Sequence, residues 1–204
     1  MLSEFSSHLE TGFRVLNQIY FEGKLENPVI TIQSCKKAYG YITTQKVWSD
    51  TSDSYYEINI SAEHLTRQLE NVLATLLHEM CHLYSMQNNI DDTSKNGKYH
   101  NKNFRKIAEE RDLQIEYIKY IGYSKTSPTE KFISVLSYNG LLDFDMITAR
   151  VGANNGGDTS LPTTTQKPKG STRKYVCHSC GISIRATKEV NIACLDCGIV
   201  MIKI

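Results

Sequence analysis

The chain has 204 residues, 40% of them hydrophobic and 22% charged, with a net charge of +1. That length is enough for one domain with a real core plus a small appendage, and a charge so close to balance does not commit the whole protein to nucleic acid or to a membrane surface. No apolar stretch is long enough to span a bilayer. The first ten residues carry Glu4 and Glu10 where a secretory leader needs a basic start and an apolar run, so a soluble, cytoplasmic protein is expected.

Residues 4–21 place Phe5, Leu9, Phe13, Leu16 and Tyr20 near helical spacing, and Gly23 and Pro28 punctuate the exit. Three segments with strand character follow, Val29–Gln33, Tyr39–Trp48 and Tyr56–Ile60, the last alternating as Tyr56, Ile58, Ile60. A long helix is expected from about Leu65 to Met86, then a polar loop over 87–99 and a second helix over about 101–111 with Phe104, Ile107 and Ala108 on one face. Residues 113–151 read weakly: Gly122 breaks the pattern, Thr126-Ser127-Pro128 resembles a helix start, and Glu130–Leu136 suits a short helix. The Gly-, Asn-, Thr- and Pro-rich stretch 152–170 reads as a linker between a domain at 1–151 and a module at 171–204. Helix, strands, then helices predict an α+β domain followed by a metal-stapled ribbon.

His78-Glu79-Met80-Cys81-His82 is an H-E-x-x-H motif. Four residues advance a helix by about 400°, so the two imidazoles lie about 40° apart, one turn from each other, and can reach one ion. Glu79 points about 100° away from His78, where it can act on a water as general base without being a ligand. Leu65, Leu69, Val72, Leu73, Leu76, Met80 and Leu83 form an apolar stripe, and both histidines fall on the opposite face beside Asn71, Ala74 and Ser85. A packed structural histidine belongs on the stripe, so a metal site is the better reading. Catalytic zinc needs a third protein ligand and an open position. His100, at the end of the polar loop, is the choice; Glu109 and Glu110 are its rivals, and Asp91 and Asp92 lie too close along the loop. The compact three-histidine pattern is absent, since Ser85, Gln87 and Asn88 stand where it needs glycine and spacing.

From Ile60 to Arg111, with LLHEMCH and KYHNKNF, the sequence resembles the SprT-like metallopeptidases, a family related to the Spartan protease. Asn17, Tyr20-Phe21, the Gly23–Leu25 turn, Tyr39-Gly40-Tyr41 and the Tyr175-Val176-Cys177 start of the terminal ribbon match as well. The resemblance implies a zincin-like domain, a small sheet packed on an active-site helix. It also implies His78, His82 and His100 as zinc ligands, Glu79 as catalytic base and Phe104 behind the site. Where the family often has glycine after the third histidine, this protein has Asn101. The family's best-understood members cleave proteins attached to DNA.

Cys177-x-x-Cys180 and Cys194-x-x-Cys197, each followed by glycine (Gly181, Gly198), predict a closed four-thiolate structural zinc site, with His178 a bystander. Cys35 and Cys81 read as free thiols. Residues 169–204 hold six basic side chains against two acidic ones, a surplus that four thiolates around zinc halve, so contact with DNA competes with a merely solvated basic face. Tyr39, Tyr41, Trp48, Tyr55 and Tyr56 could stack bases, but aromatic strands are more often core. The expectation is a zinc metallopeptidase with two zinc ions acting on protein substrates. The alternative is a DNA- or protein-binding regulator that keeps the frame without turnover.

Overall fold

The computed structural model describes residues 2–94, 97–144 and 173–204. The protein divides into two compact units, Met1–Asn154 and Asn155–Ile204. The expected linker at 152–170 lies outside the described residues. Among the described residues no helix is long and apolar enough to cross a membrane.

The first unit is α+β. Helix α1 (Leu2–Phe21) buries Phe5, Leu9, Phe13 and Leu16, the stripe its spacing predicts. Strands β1 (Val29–Gln33), β2 (Gly40–Ile42) and β5 (Glu57–Ser61) form a sheet in the order β1-β5-β2, with β1 parallel and β2 antiparallel to β5, so β2 is an edge. The alternation read in β5 is real, with Ile58 and Ile60 fully buried in the core shared with the helices. Its other face is buried too. There the Glu57 carboxylate accepts hydrogen bonds from Tyr41 Oη (2.9 Å), Trp48 Nε1 (2.7 Å) and Thr31 Oγ1 (3.0 Å), which satisfies a charge that burial alone would penalise.

Tyr39–Trp48 is not one strand. β2 ends at Ile42, and Trp48 belongs to a separate small hairpin, β3 (Trp48–Ser49) with β4 (Ser54–Tyr55). Asp50 closes that hairpin by accepting from the backbone N–H groups of Ser52 and Asp53. Of the aromatic residues of this region only Tyr56, half-buried, packs against the core; Tyr39 and Trp48 are exposed, and Tyr41 and Tyr55 are half-buried.

Helix α2 spans Leu69–Gln87, starting later than expected: a short 3-10 turn over Ala62–His64 is followed by a non-helical turn over residues 65–68. It is buried almost all round: the face opposite the apolar stripe is covered as well, Ala74 and Ser85 included. Within the polar loop two short strands appear, β6 (Thr93–Ser94) and β7 (Tyr99–His100), before helix α3 (Lys102–Glu109). The weakly read segment is a hairpin, β8 (Leu113–Ile118) with β9 (Gly122–Pro128), followed by α4 (Glu130–Tyr138). Thr126-Ser127-Pro128 ends a strand rather than starting a helix; the N-cap of α4 is Thr129, whose side chain accepts from Phe132 N–H. The second sheet runs β6-β7-β9-β8.

The second unit has β10 (Arg173–Val176), β11 (Ser183–Ala186), β12 (Ala193–Cys194), β13 (Ile199–Val200) and β14 (Ile202–Lys203), arranged as β11-β10-β14 and β12-β13. Its core is Tyr175, Cys177, Cys194 and Met201.

Candidate metal centre

α2 brings the H-E-x-x-H residues to the middle of the first unit, and β7 brings His100 to meet them. The three Nε2 atoms converge: His78 to His100 is 3.2 Å, His82 to His78 3.2 Å and His82 to His100 3.1 Å. These three are brought together as expected; the rivals Glu109 and Glu110 are not among them, and Glu109 instead pairs with Arg105 at 2.8 Å.

The outer nitrogens explain the orientation. His82 Nδ1 lies 2.7 Å from Asp92 Oδ2. An ionised carboxylate only accepts, so the ring carries its proton on Nδ1 and turns a bare Nε2 lone pair toward the centre. His78 Nδ1 lies 2.7 Å from Thr126 Oγ1. Burial pushes the His78 pKa well below its ordinary value and that of His100 down to about 4, with the neighbouring imidazoles adding to both. Ring nitrogens crowded toward one point repel one another unless a cation lies between them. Nitrogen donors 2.0–2.1 Å from a tetrahedral zinc would be spaced about 3.3–3.4 Å apart, close to what is seen, so this donor set fits zinc.

Phe104, fully buried, packs against all three rings with centroids 4.5, 4.5 and 4.7 Å away. Burying that ring contributes roughly 1.5–3 kcal/mol and gives the imidazoles a rigid floor. Asn101 caps α3, its side chain accepting from the backbone N–H groups of Asn103 (2.7 Å) and Phe104 (3.2 Å). Asn101 thus fixes the helix carrying Phe104.

Glu79 is buried at the junction of α2 and the edge strand β2. Burial raises its pKa to about 7, His82 lowers it, Asp92 raises it, and the Ile42 backbone N–H favours the charged form. A Cβ on Gly40 would lie 3.3 Å from Glu79 Oε1 and under 3 Å from both Asn59 O and Thr75 Cγ2, so only glycine lets β2 approach this closely. Three residues of this centre escape a reading of the sequence. Asp92 lies too close along the loop to be a third ligand, and that same position hides its role behind His82. Thr126 falls in the weakly patterned segment, and Gly40, although part of the Tyr39-Gly40-Tyr41 match, gives no sign from sequence that it lies against Glu79.

In the second unit the four sulfurs of Cys177, Cys180, Cys194 and Cys197 lie within 4.8 Å of one another, Cys180 and Cys194 at 3.7 Å. Thiolates 2.3 Å from a tetrahedral zinc would be spaced about 3.8 Å apart. The two knuckles share one turn: Gly181 N–H donates to Cys177 O and Gly198 N–H to Cys194 O, both at 2.8 Å, with both glycines at positive φ. Backbone N–H groups of Cys180 and Ser179 aimed at Cys177 pull its thiol pKa down to about 7, as a thiolate ligand requires.

Compared with protein-family models, residues 9–120, more than half of the sequence, match the SprT-like family. The chain belongs to the SprT-like family. The match runs from within α1 through β8 and includes His78, Glu79, His82, His100 and Phe104, but not the cysteine ribbon. No curated protein and no solved structure matches this SprT-like protein.

Proposed function

We propose that this SprT-like protein is a zinc-dependent peptidase acting on protein substrates, with a zincin-like catalytic domain and a structural zinc in the ribbon. The observation that carries the reading is the convergence of three largely buried Nε2 atoms beside the Glu79 carboxylate, under the edge of a sheet. A pure scaffold has no use for a buried carboxylate at that point.

Zinc held by His78, His82 and His100 would supply Lewis acidity toward water and a peptide carbonyl. The protein's own residues do the rest. Tyr41 is bonded within the sheet, between Tyr39 and Thr43, whose backbone groups bond to β5, so the backbone of Gly40 and Ile42 faces the other way, along the outer edge. There the Ile42 N–H meets the Glu79 carboxylate, and the Gly40 backbone and Ile42 carbonyl are left for a substrate. An extended substrate pairs with that edge by backbone hydrogen bonds, which brings its peptide bond next to Glu79. Glu79 takes the proton from the attacking water and delivers it to the leaving amide nitrogen. A pKa near neutrality suits both halves of that transfer.

Replacing Glu79 by Gln should abolish cleavage of an unfolded protein such as casein, by at least about a hundredfold as for loss of a general base, while metal content stays that of the wild type. Unchanged cleavage by the variant would end the reading.

A further inference from the structure

Among the described residues, one cation packed against α2 near the candidate centre has no acidic partner. Arg67, two residues before α2, lies half-buried with its guanidinium 4.0 Å from the Tyr39 ring centroid. Nε donates to the His64 carbonyl (3.0 Å), Nη1 to the Asn71 carbonyl (3.3 Å) and Nη2 to the Thr75 hydroxyl (3.1 Å). All three acceptors are neutral, and among the described residues no carboxylate forms an ion pair with it. A guanidinium has five N–H groups, so two remain. Burial disfavours its charged form, and Tyr39 is the titratable group that offsets this.

Its place in the fold ties it to the cleft. Thr75 stands one helical turn before Glu79 on the same face of α2. Both press on Gly40, with Thr75 Cγ2 at 2.9 Å and Glu79 Oε1 at 3.3 Å from where a Cβ would sit. Tyr39, the ring beneath Arg67, immediately precedes Gly40 at the start of the edge strand. A peptide lying along that edge therefore passes the Arg67–Tyr39 pair within a residue or two of the bond facing Glu79. Stapling the preceding loop to α2 accounts for three hydrogen bonds. It does not account for a permanent charge, costly to desolvate, resting on a ring that is 54% exposed.

We propose that Arg67, backed by Tyr39, is a specificity-determining residue that receives a substrate carboxylate, so that the centre selects protein segments with Asp or Glu beside the scissile bond. This rests on the peptidase reading above. The planar fork takes a carboxylate in two parallel hydrogen bonds, and the free carboxylate that ends a polypeptide offers the same chemistry.

The test is a binding measurement on zinc-loaded, full-length Glu79→Gln protein with fluorescent, N-acetylated hexapeptides. Three versions differ only in carrying Glu, Gln or Lys, all with amidated C-termini; a fourth is the Gln version with a free C-terminus. The Glu version should bind about tenfold tighter than the Gln version, the scale of one charge-assisted hydrogen bond. Adding Arg67→Gln should erase that ratio, and adding Arg67→Glu should invert it toward Lys, which a purely structural arginine would not do. Tight binding of the fourth peptide instead identifies the peptide terminus as the source of the carboxylate received by Arg67. Equal or undetectable binding of all four, or a preference that survives Arg67→Glu, overturns the proposal. Casein cleavage by the wild type is read separately, so its absence would sink the peptidase reading without touching the binding result.

Discussion

Asp92 is the residue on which the geometry of the centre turns, although it donates nothing to the convergence itself. Its carboxylate holds His82 Nδ1 at 2.7 Å, and its own carbonyl accepts from the Asn101 N–H at 2.9 Å, so one residue ties the metal-facing ring of α2 to the cap of α3. Outer partners of this type fix tautomer and ring orientation and raise ligand basicity. Replacing Asp92 by Ala should weaken zinc binding in the first unit by about 10–100-fold, measured by competition with a chelator of known affinity. The ribbon's affinity should stay where it was, because its four donors are thiolates of a separate unit. Unaltered affinity in the first unit would show that the loop, and not the carboxylate, orients His82.

At the scale of elements, α2 was legible because a 3.6-residue apolar stripe and the His-x-x-x-His spacing are both local, and α1 and β1 were legible for the same reason. The β8–β9 hairpin was not, even though Leu113 and Ile115 alternate inward against Gln114 and Glu116. Four residues of alternation are a short signal, and Gly122, which looks like a break, is instead the first residue of β9. That hairpin is what completes the centre. One end of β9 meets His100, whose N–H donates to Ile121 O at 3.1 Å, and the other supplies Thr126 to His78. Gly122 sits at positive φ, and a Cβ there would fall 2.1 Å from the His100 carbonyl oxygen, a clash that backbone on both sides must absorb. Gly122→Ala should therefore displace His100 and cost roughly 1–3 kcal/mol as an overpacked, strained site. If the wild type holds the two zinc ions proposed above, metal analysis of this variant should find about one per molecule, with no ligand altered. Two ions retained in this variant would mean that β9 does not position His100.

For the whole molecule, the two units depend on metal to different degrees, and burial decides how. The first unit has a continuous apolar core from Phe5 to Leu141, packed from α1, α2 and both sheets, which holds its fold whether or not an ion sits among the histidines. The second buries little beyond Tyr175, Cys177, Cys194 and Met201, and leaves Leu195, Val200 and Ile204 largely in solvent. Apolar burial on that scale does not offset the entropy of ordering some thirty residues, so on the proposed reading the energy of four thiolates binding zinc would supply the fold. Chelation should thus unfold the ribbon and spare the first unit. Tyr175 is the reporter: it is 4% exposed, and its hydroxyl accepts from the Val190 N–H at 3.1 Å. Chymotrypsin should cleave after Tyr175 only once a strong chelator is present, and returning zinc should restore protection. Phe13, Phe104 and Phe132, all sealed in the larger core, should resist throughout. Tyr175 still protected in metal-free protein would show that the ribbon folds without its ion, and cleavage at Phe104 on chelation would show that the first unit leans on its metal as heavily as the second.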